Sequence, residues 1–543
     1  MPHELGCVDS LPGPVFRAGG RQRVSFSTNN YLALSASRRM ISAARGGLER
    51  YGVGNCESRL LGGNLAIYDA LEAKLAALKH KDSAVLFATG YLTNLGVLSS
   101  LPRSGQYARI YGYRAQGKHS YAYFGDQFNH LSIREGIRMS GADHAVYRHG
   151  DLDHLESLLK KTEADSRIIV TDGVFSQDGD IADLPGLLAL AERYDAMVYV
   201  DDAHGTGVLG ATGAGTSEHF DVDSPRLIQM GTLSKAYGAI GGFVATDAHV
   251  AQILRLSCAA YGFTSTLPPD QAIAVSVAID AVRDEPERRR RLWDNQRYFV
   301  SRMRDLPYDL VSTQTPIVPI MIGDEELADR FAGLIEAEGL HIDAVKFPAV
   351  PMGKARLRVQ LNAGHTRAQI DDLLGILADN QDLVGGEKPQ PGRDRAFQAP
   401  SVPTAMAAFV AAPQAVARSI ASGFARLTGL LGIRGGEVGL ALNLVTIATA
   451  ILIVLDMTVE VPHLIYAYLL PITFVARRFG PVHALMTTAI GALCASFLFF
   501  EPVLTFAVED RQDIEDLLIF GVLGAFISGV AGARQRGWAW SRT

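Results

Sequence analysis

Cysteine is scarce. Cys7, Cys56, Cys258 and Cys494 are the four in 543 residues, and their scatter fits neither a disulfide framework nor a metal-binding spacing. No metal site is expected. An excess of positive charge is also missing: the formal net charge is −6, which argues against a nucleic-acid partner. The opening "MPHELGCVDS" has no basic segment followed by an apolar one, so no secretory signal is read. The catalytic part is therefore expected in the cytoplasm. At 543 residues the chain exceeds one ordinary domain, and about two or three are expected.

What is present divides in composition near residue 385. Before it, short apolar runs alternate with helical patterns. "SRIIVTDG", "AMVYVDDAHG", "RLIQMGT" and "GGFVATD" read as buried strands, separated by segments such as "LPGLLALAERYD" with helical periodicity. That alternation predicts an α/β fold with a parallel sheet covered by helices. Ligands of such sheets bind beyond the carboxyl ends of the strands. Three runs end there in reactive residues: Ser176, then Asp201 with His204, then Thr232 with Lys235.

A lysine, a carboxylate, a histidine and hydroxyls on one sheet edge suit pyridoxal 5′-phosphate (PLP). The cofactor needs a lysine for its imine and a carboxylate to keep its pyridine nitrogen protonated. Its phosphate needs hydroxyls and helix N-terminal amides, which Thr232, Ser234 and the turn "ATGYLTN" can supply. An ordinary lysine pKa near ~10.4 leaves little free amine, so Lys235 requires burial or charged neighbours that lower it.

The motifs of residues 25–380 follow one another as in the α-oxoamine synthases of fold type I. They are "NNYLAL", "YGVGNCESRLLGG", "ATGYLTN", "DQFNHLSIREG", "TDGVFSQDGDIADL", "VDDAHGTGVLGATGAGTSEH", "GTLSKAYGAIGG", "FTSTLPP" and "GKARLRVQLNAGHT". The chain resembles that family, whose members include 8-amino-7-oxononanoate synthase, 2-amino-3-ketobutyrate CoA ligase, 5-aminolevulinate synthase and serine palmitoyltransferase. The resemblance implies a fold type I transferase with a smaller C-terminal α/β subdomain. It implies that Lys235 carries PLP, Asp201 pairs with the pyridine nitrogen, and His130 stacks on the ring. His204 and Ser176 would lie near the phenolic oxygen. Thr232, with the amides of Gly90 and Tyr91, would hold the phosphate. Two subunits would share each site, Thr264 or Ser265 reaching the neighbour's phosphate. Arg358 would grip the amino acid's carboxylate, and Asn30 would lie close to that substrate.

The implied reaction joins an amino acid (serine, glycine or alanine) to an acyl thioester of coenzyme A or acyl carrier protein. Carbon dioxide is lost and an α-amino ketone is formed. Departures from the family pattern bear on substrate. Tyr68 stands where histidine is frequent, Glu57 interrupts a glycine-rich stretch, "DDAH" replaces "DEAH", and "TDGVFSQDG" replaces a glutamate and a methionine. The segment 103–124 looks long and aromatic. An aminotransferase or aldolase on the same fold, and a non-enzymatic membrane sensor or partner subunit, are the competing readings.

The expected organisation is a catalytic domain at 1–385, with a large part at about 50–275 and a small part from the N-terminal segment plus about 276–385. A Pro-, Gly- and charge-rich linker, 386–437, includes an Ala-rich stretch that reads equally as an interfacial helix or a spacer. Four apolar stretches follow: Val438–Leu455, Val461–Ala476, Pro481–Phe500 and Leu517–Ala533. A bilayer takes about 20 residues. Arg426, Arg434, Arg477, Arg478, Arg534 and Arg536 fall on one side, and acidic loops on the other. This predicts a four-helix transmembrane domain at 438–536 and a tail at 537–543, in the inner membrane with the enzyme cytoplasmic. "ARRFGPVHAL" and "FFEPVLTFAVEDRQDIEDLLIF" resemble the DUF4118 membrane domain of some sensor histidine kinases. Gly521, Ala525, Gly529 and Ala533 are expected to let its helices pack closely.

Overall fold

The computed structural model describes residues 7–11, 13–103, 120–384, 468–479, 481–498, 517 and 519–527. The chain separates into two compact units, Met1–Gln390 and Pro391–Thr543. The first begins with a hairpin of β1 (Val15–Ala18) and β2 (Arg21–Ser25). Its turn is Gly19–Gly20, with φ of +56° and +74°, the left-handed pair that a tight hairpin demands and glycine supplies cheaply.

The large sheet has seven strands: β3 (Ser83–Phe87), β4 (Tyr121–Asp126), β5 (Asp143–Tyr147), β6 (Ser166–Asp172), β7 (Ala196–Asp201), β8 (Leu227–Thr232) and β9 (Gly242–Thr246). Their spatial order is β3-β9-β8-β7-β6-β4-β5. Successive side chains alternate between two covered faces, as strand geometry requires. Ile168 and Val170 pack with the helices Gly90–Ser100 and Leu131–Ser140, and Ile169 packs with Leu152–Lys161 and Leu184–Arg193. The continuous apolar runs reflect burial on both sides.

One strand departs from the expected parallel arrangement. β9 runs antiparallel to both β8 and β3. Residues 233–241 between β8 and β9 hold no crossover helix, and a parallel return needs a longer connection than that. The short return keeps the Lys235 loop at the sheet's edge.

A second, antiparallel sheet contains β10 (Asp309–Leu310), β11 (Ile317–Gly323), β13 (Asp343–Val345) and β14 (Ala355–Gln360), in the order β10-β11-β14-β13. β12 (Leu340–His341) joins β2 in parallel, so the N-terminal hairpin packs with the C-terminal part of this unit. Both sheets share one apolar cluster, which runs from Phe26 and Tyr31 through Leu233 to Val359.

The second unit is helical where described: Leu469–Phe479, Pro481–Leu498 and residues 519–527. No helix among the described residues is long and apolar enough to cross a membrane. The stretch Val438–Leu455 and the linker 386–437 lie outside the described residues. Close helix contact occurs at Gly524, not at the expected Gly521. A Cβ at Gly524 would fall 2.4 Å from Thr488 Cγ2, whereas one at Gly521 would meet nothing within 4 Å. Gly529 and Ala533 of the expected stripe lie outside the described residues.

Behind the large sheet's edge lies a fully buried ion pair. Lys79, which follows the helix Ala66–Leu78, places Nζ 2.6 Å from both Asp202 Oδ2 and the Ala214 carbonyl. Asp202 is the second aspartate of "DDAH", and it also accepts from Thr206 Oγ1 and the Thr216 amide. Replacing one partner strands the other charge in the core, at a cost of about 3–5 kcal/mol. Lys79→Met is expected to lose that much unfolding free energy in denaturant titrations of the full chain. A loss within error of zero would show the pair to be dispensable.

Candidate active site

Four adjacent strands of the large sheet end in polar side chains at one edge: Asp126 on β4, Asp172 on β6, Asp201 on β7 and Thr232 on β8. Beyond that edge is a cavity of about 330 Å³. Gly90, Tyr91, His130, Ser176, Asp201, His204, Thr232, Ser234 and Lys235 line it, together with Asn94, Ser132 and Asp172. Nine residues singled out from the sequence thus converge there from five separate segments.

Lys235 Nζ lies 2.8 Å from His204 Nε2, and His204 Nδ1 lies 2.7 Å from the Tyr31 hydroxyl. Burial holds His204 well below the usual histidine pKa, with Lys235 and Arg358 adding to the shift. The ring is therefore neutral and donates through one nitrogen while accepting through the other. Burial pulls the Lys235 amine down to about 8, against the opposing pull of Asp201 and Asp172. Tyr31 remains a phenol because burial raises its pKa. The chain Tyr31–His204–Lys235 can hold the amine in either state: Nε2–H donates to a free amine, and the other tautomer accepts from an ammonium.

Asp201 is buried, and its carboxylate is steered from behind. Oδ2 accepts from Asn94 Nδ2 at 2.6 Å, and Oδ1 accepts from the Ala203 amide at 3.0 Å. Asn94 is itself fixed by Tyr199 and Ser132. Such an oriented carboxylate matches a protonated ring nitrogen. At the other end, Thr89 caps the helix Gly90–Ser100, whose N-terminal amides open on the cavity. A Cβ on Gly90 would lie 2.9 Å from Thr232 Oγ1, so only glycine lets these amides stand beside the Thr232 and Ser234 hydroxyls. Amides with a helix dipole plus two hydroxyls form an anion cradle. The donor set fits PLP: aldehyde-reactive amine, pyridinium partner and phosphate cradle.

His130 caps the helix Leu131–Ser140, with its Nδ1 turned to Ser132, and lines the cavity with Tyr91 against its edge. Burial lowers its pKa, as does Lys235. Its backbone amide donates to Asp172 Oδ2 at 2.8 Å.

Four expected residues lie away from the cavity lining. Arg358 is buried on β14, and its Nε donates to the Ser176 carbonyl. Asn30 turns its side chain onto its own loop, accepting from the Leu34 amide at 3.0 Å and donating to Ser35 Oγ at 2.6 Å. Its neighbour Tyr31 makes the contact with the site instead. Thr264 is half-buried and Ser265 exposed, next to Phe263, which is 82% exposed. Tyr68 is a buried strut, its hydroxyl donating to the Leu267 carbonyl at 3.0 Å, and Glu57 is exposed and bonded to the Ser58 amide. Most of 103–124 lies outside the described residues. Tyr31, Asn94, Ser132 and Asp172 were not singled out from sequence as site residues. Tyr31 sits in "NNYLAL" and Asn94 in "ATGYLTN", but only the tertiary fold aims them at the site.

The family model for aminotransferase class I and II matches residues 21–377, and that for a domain of unknown function, DUF4118, matches 438–539. The chain is 39% identical over 373 residues to 8-amino-7-oxononanoate synthase from Bacillus pumilus, covering 68% of this chain and 91% of that one. It is likewise 39% identical to 8-amino-7-oxononanoate synthase 1 of Bacillus subtilis over 371 residues, with the same coverage of each chain. Among solved structures, a serine palmitoyltransferase from S. paucimobilis with PLP and myriocin bound superposes with a TM-score of 0.65 at 29% identity. That alignment covers 70% of this chain and 93% of that one. The chain belongs to the aminotransferase class I and II family, as a PLP-dependent enzyme of the α-oxoamine synthase type.

Proposed function

We propose that the enzyme condenses serine, glycine or alanine with an acyl thioester, with decarboxylation, to give an α-amino ketone, and that the acyl chain is a long one. The observation that carries this is the amine of Lys235 held 2.8 Å from a neutral His204 in a cavity that also contains Asp201. When bound, PLP supplies an aldehyde for amine exchange and a protonated ring that withdraws electrons from the amino acid's Cα.

The protein's own residues supply the rest. Asp201, oriented by Asn94, would keep the ring nitrogen protonated. Thr232, Ser234 and the amides of Gly90 and Tyr91 would hold the phosphate. Arg358, kept in place by the Ser176 carbonyl, would take the substrate carboxylate through its planar fork. The Lys235 amine would accept the Cα proton, and as an ammonium it would donate to His204 Nε2 while Nδ1–H turns to Tyr31. His130 would wall the opposite face, and His204 or His130 would polarise the thioester carbonyl. Two subunits would share each site, with Thr264 or Ser265 facing the partner. The C-terminal domain would tether the enzyme to the inner membrane, close to a lipophilic donor or product. The apolar stretches of the tail and the flanking arginines support this.

The reading is tested by offering the purified protein glycine, L-alanine and L-serine, each with palmitoyl-CoA, and following thiol release. One amino acid should support turnover. Arg358→Ala should raise its KM by about ten-fold or more, the loss of a bidentate carboxylate contact. Thiol release that does not depend on any amino acid would sink the reading.

The rate at which cofactor-free protein captures PLP should rise with pH and level off just above about 8, where the Lys235 amine is unprotonated. A solvated lysine would keep rising toward ~10.4. Because Asp201 raises this pKa, Asp201→Asn should move the rise to lower pH. A profile that climbs past 10 would contradict the buried-amine account.

Cell fractionation tests the tether. The full chain should remain in the membrane pellet after carbonate washing, and a chain ending at residue 390 should not. Equal release of both would remove the anchoring role.

A further inference from the structure

Of the carboxylates closing neighbouring strands, Asp126 does not line the cavity, yet it is 3% exposed. Its Oδ1 accepts from the Phe128 amide at 2.8 Å and lies 3.0 Å from His149 Nδ1, while Oδ2 accepts from the Gly150 amide. The other ring nitrogen, His149 Nε2, lies 3.0 Å from Asp180 Oδ2. Phe128 stacks on the imidazole at 4.5 Å and Phe175 meets its edge at 4.4 Å. Ionised carboxylates only accept, so a ring with one on each nitrogen must donate from both and is an imidazolium. Burial alone would lower its pKa, but the bonds to Asp126 and Asp180 raise it to about 10.

What this cation holds is the segment 176–180. From the side of the second sheet, Arg356 Nη1 donates to Asp178 Oδ1 at 2.6 Å, Arg358 Nε to the Ser176 carbonyl, and Thr315 Oγ1 to the Gly179 carbonyl at 2.8 Å. Gly179 has φ +73°, and a Cβ there would fall 2.3 Å from the Ile317 carbonyl, so the segment is pressed against β11. From the large sheet, His149 is the side chain that binds Asp180, whose Oδ1 has no partner among the described residues. The segment carries Ser176 into the cavity and offers the carbonyl that fixes Arg358.

We propose that His149 is a positioning residue: clasped between Asp126 and Asp180, it fixes the 176–180 segment and, through the Ser176 carbonyl, sets Arg358 for the amino acid's carboxylate. This rests on the condensation reading above for the role of Arg358. The test uses His149→Phe, which keeps an aromatic in the stack, and Asp180→Ala, which leaves the ring and Asp126 untouched. If His149→Phe does not load PLP, Asp180→Ala carries the test.

In cofactor-free full-length protein, hydrogen exchange of a peptide spanning 174–182 should speed up by about ten-fold in both variants, while the helix Gly90–Ser100 keeps its protection. In loaded protein, the KM for the amino acid that wild type accepts should rise by about ten-fold, with the palmitoyl-CoA KM unchanged. Unchanged exchange in the peptide overturns the clasp. Faster exchange with an unmoved amino-acid KM, or with equal losses for both substrates, overturns the positioning role. If wild type accepts no amino acid, the condensation reading falls, and with it this role for Arg358; the exchange measurement then still judges the clasp.

Discussion

A primary amine at the buried end of a β-sheet is the constraint on which the site depends. Water would keep Lys235 protonated, and burial disfavours the charge, so the amine is drawn to about 8. Asp201 and Asp172 pull in the opposite direction and stop the shift from going further. His204, neutral and 2.8 Å away, accommodates either protonation state by exchanging tautomers with Tyr31. Imine exchange and proton abstraction both need an amine that can gain and lose a proton near neutrality.

The fold serves that constraint through the sheet. Parallel neighbours β6, β7 and β8 bring their C-terminal ends to one edge, and the antiparallel return of β9 holds the Lys235 loop against it. The buried Lys79–Asp202 pair stiffens the loop bearing His204 from behind. The second sheet contributes Arg358 indirectly, by way of the Ser176 carbonyl. Reactive groups thus come from distant segments, and Asp201 and Arg358 are each oriented by a neighbour, Asn94 and the Ser176 carbonyl.

Sequence reasoning reached the reactive groups more readily than their supports. Lys235, Asp201, His204 and Thr232 end or follow strong apolar runs, so strand periodicity alone places them at a sheet edge. The direction of β9 was missed because apolar runs carry no orientation; the length of the connection carried it. Asn94 and Tyr31 were missed because their partners, Asp201 and His204, are about a hundred residues or more away along the chain. Asn30 drew attention in place of Tyr31 because motif position does not say which side chain turns inward. In the helical tail, the contact glycine is Gly524 rather than Gly521, since a stripe of small residues leaves the packing face ambiguous.

The most direct measurement is the site of covalent attachment. Borohydride reduction of the PLP-loaded full-length protein, followed by peptide mass spectrometry, should place the pyridoxyl mass on Lys235 alone. Labelling of another lysine such as Lys79 or Lys74, or no label in a protein that contains PLP, would contradict the account.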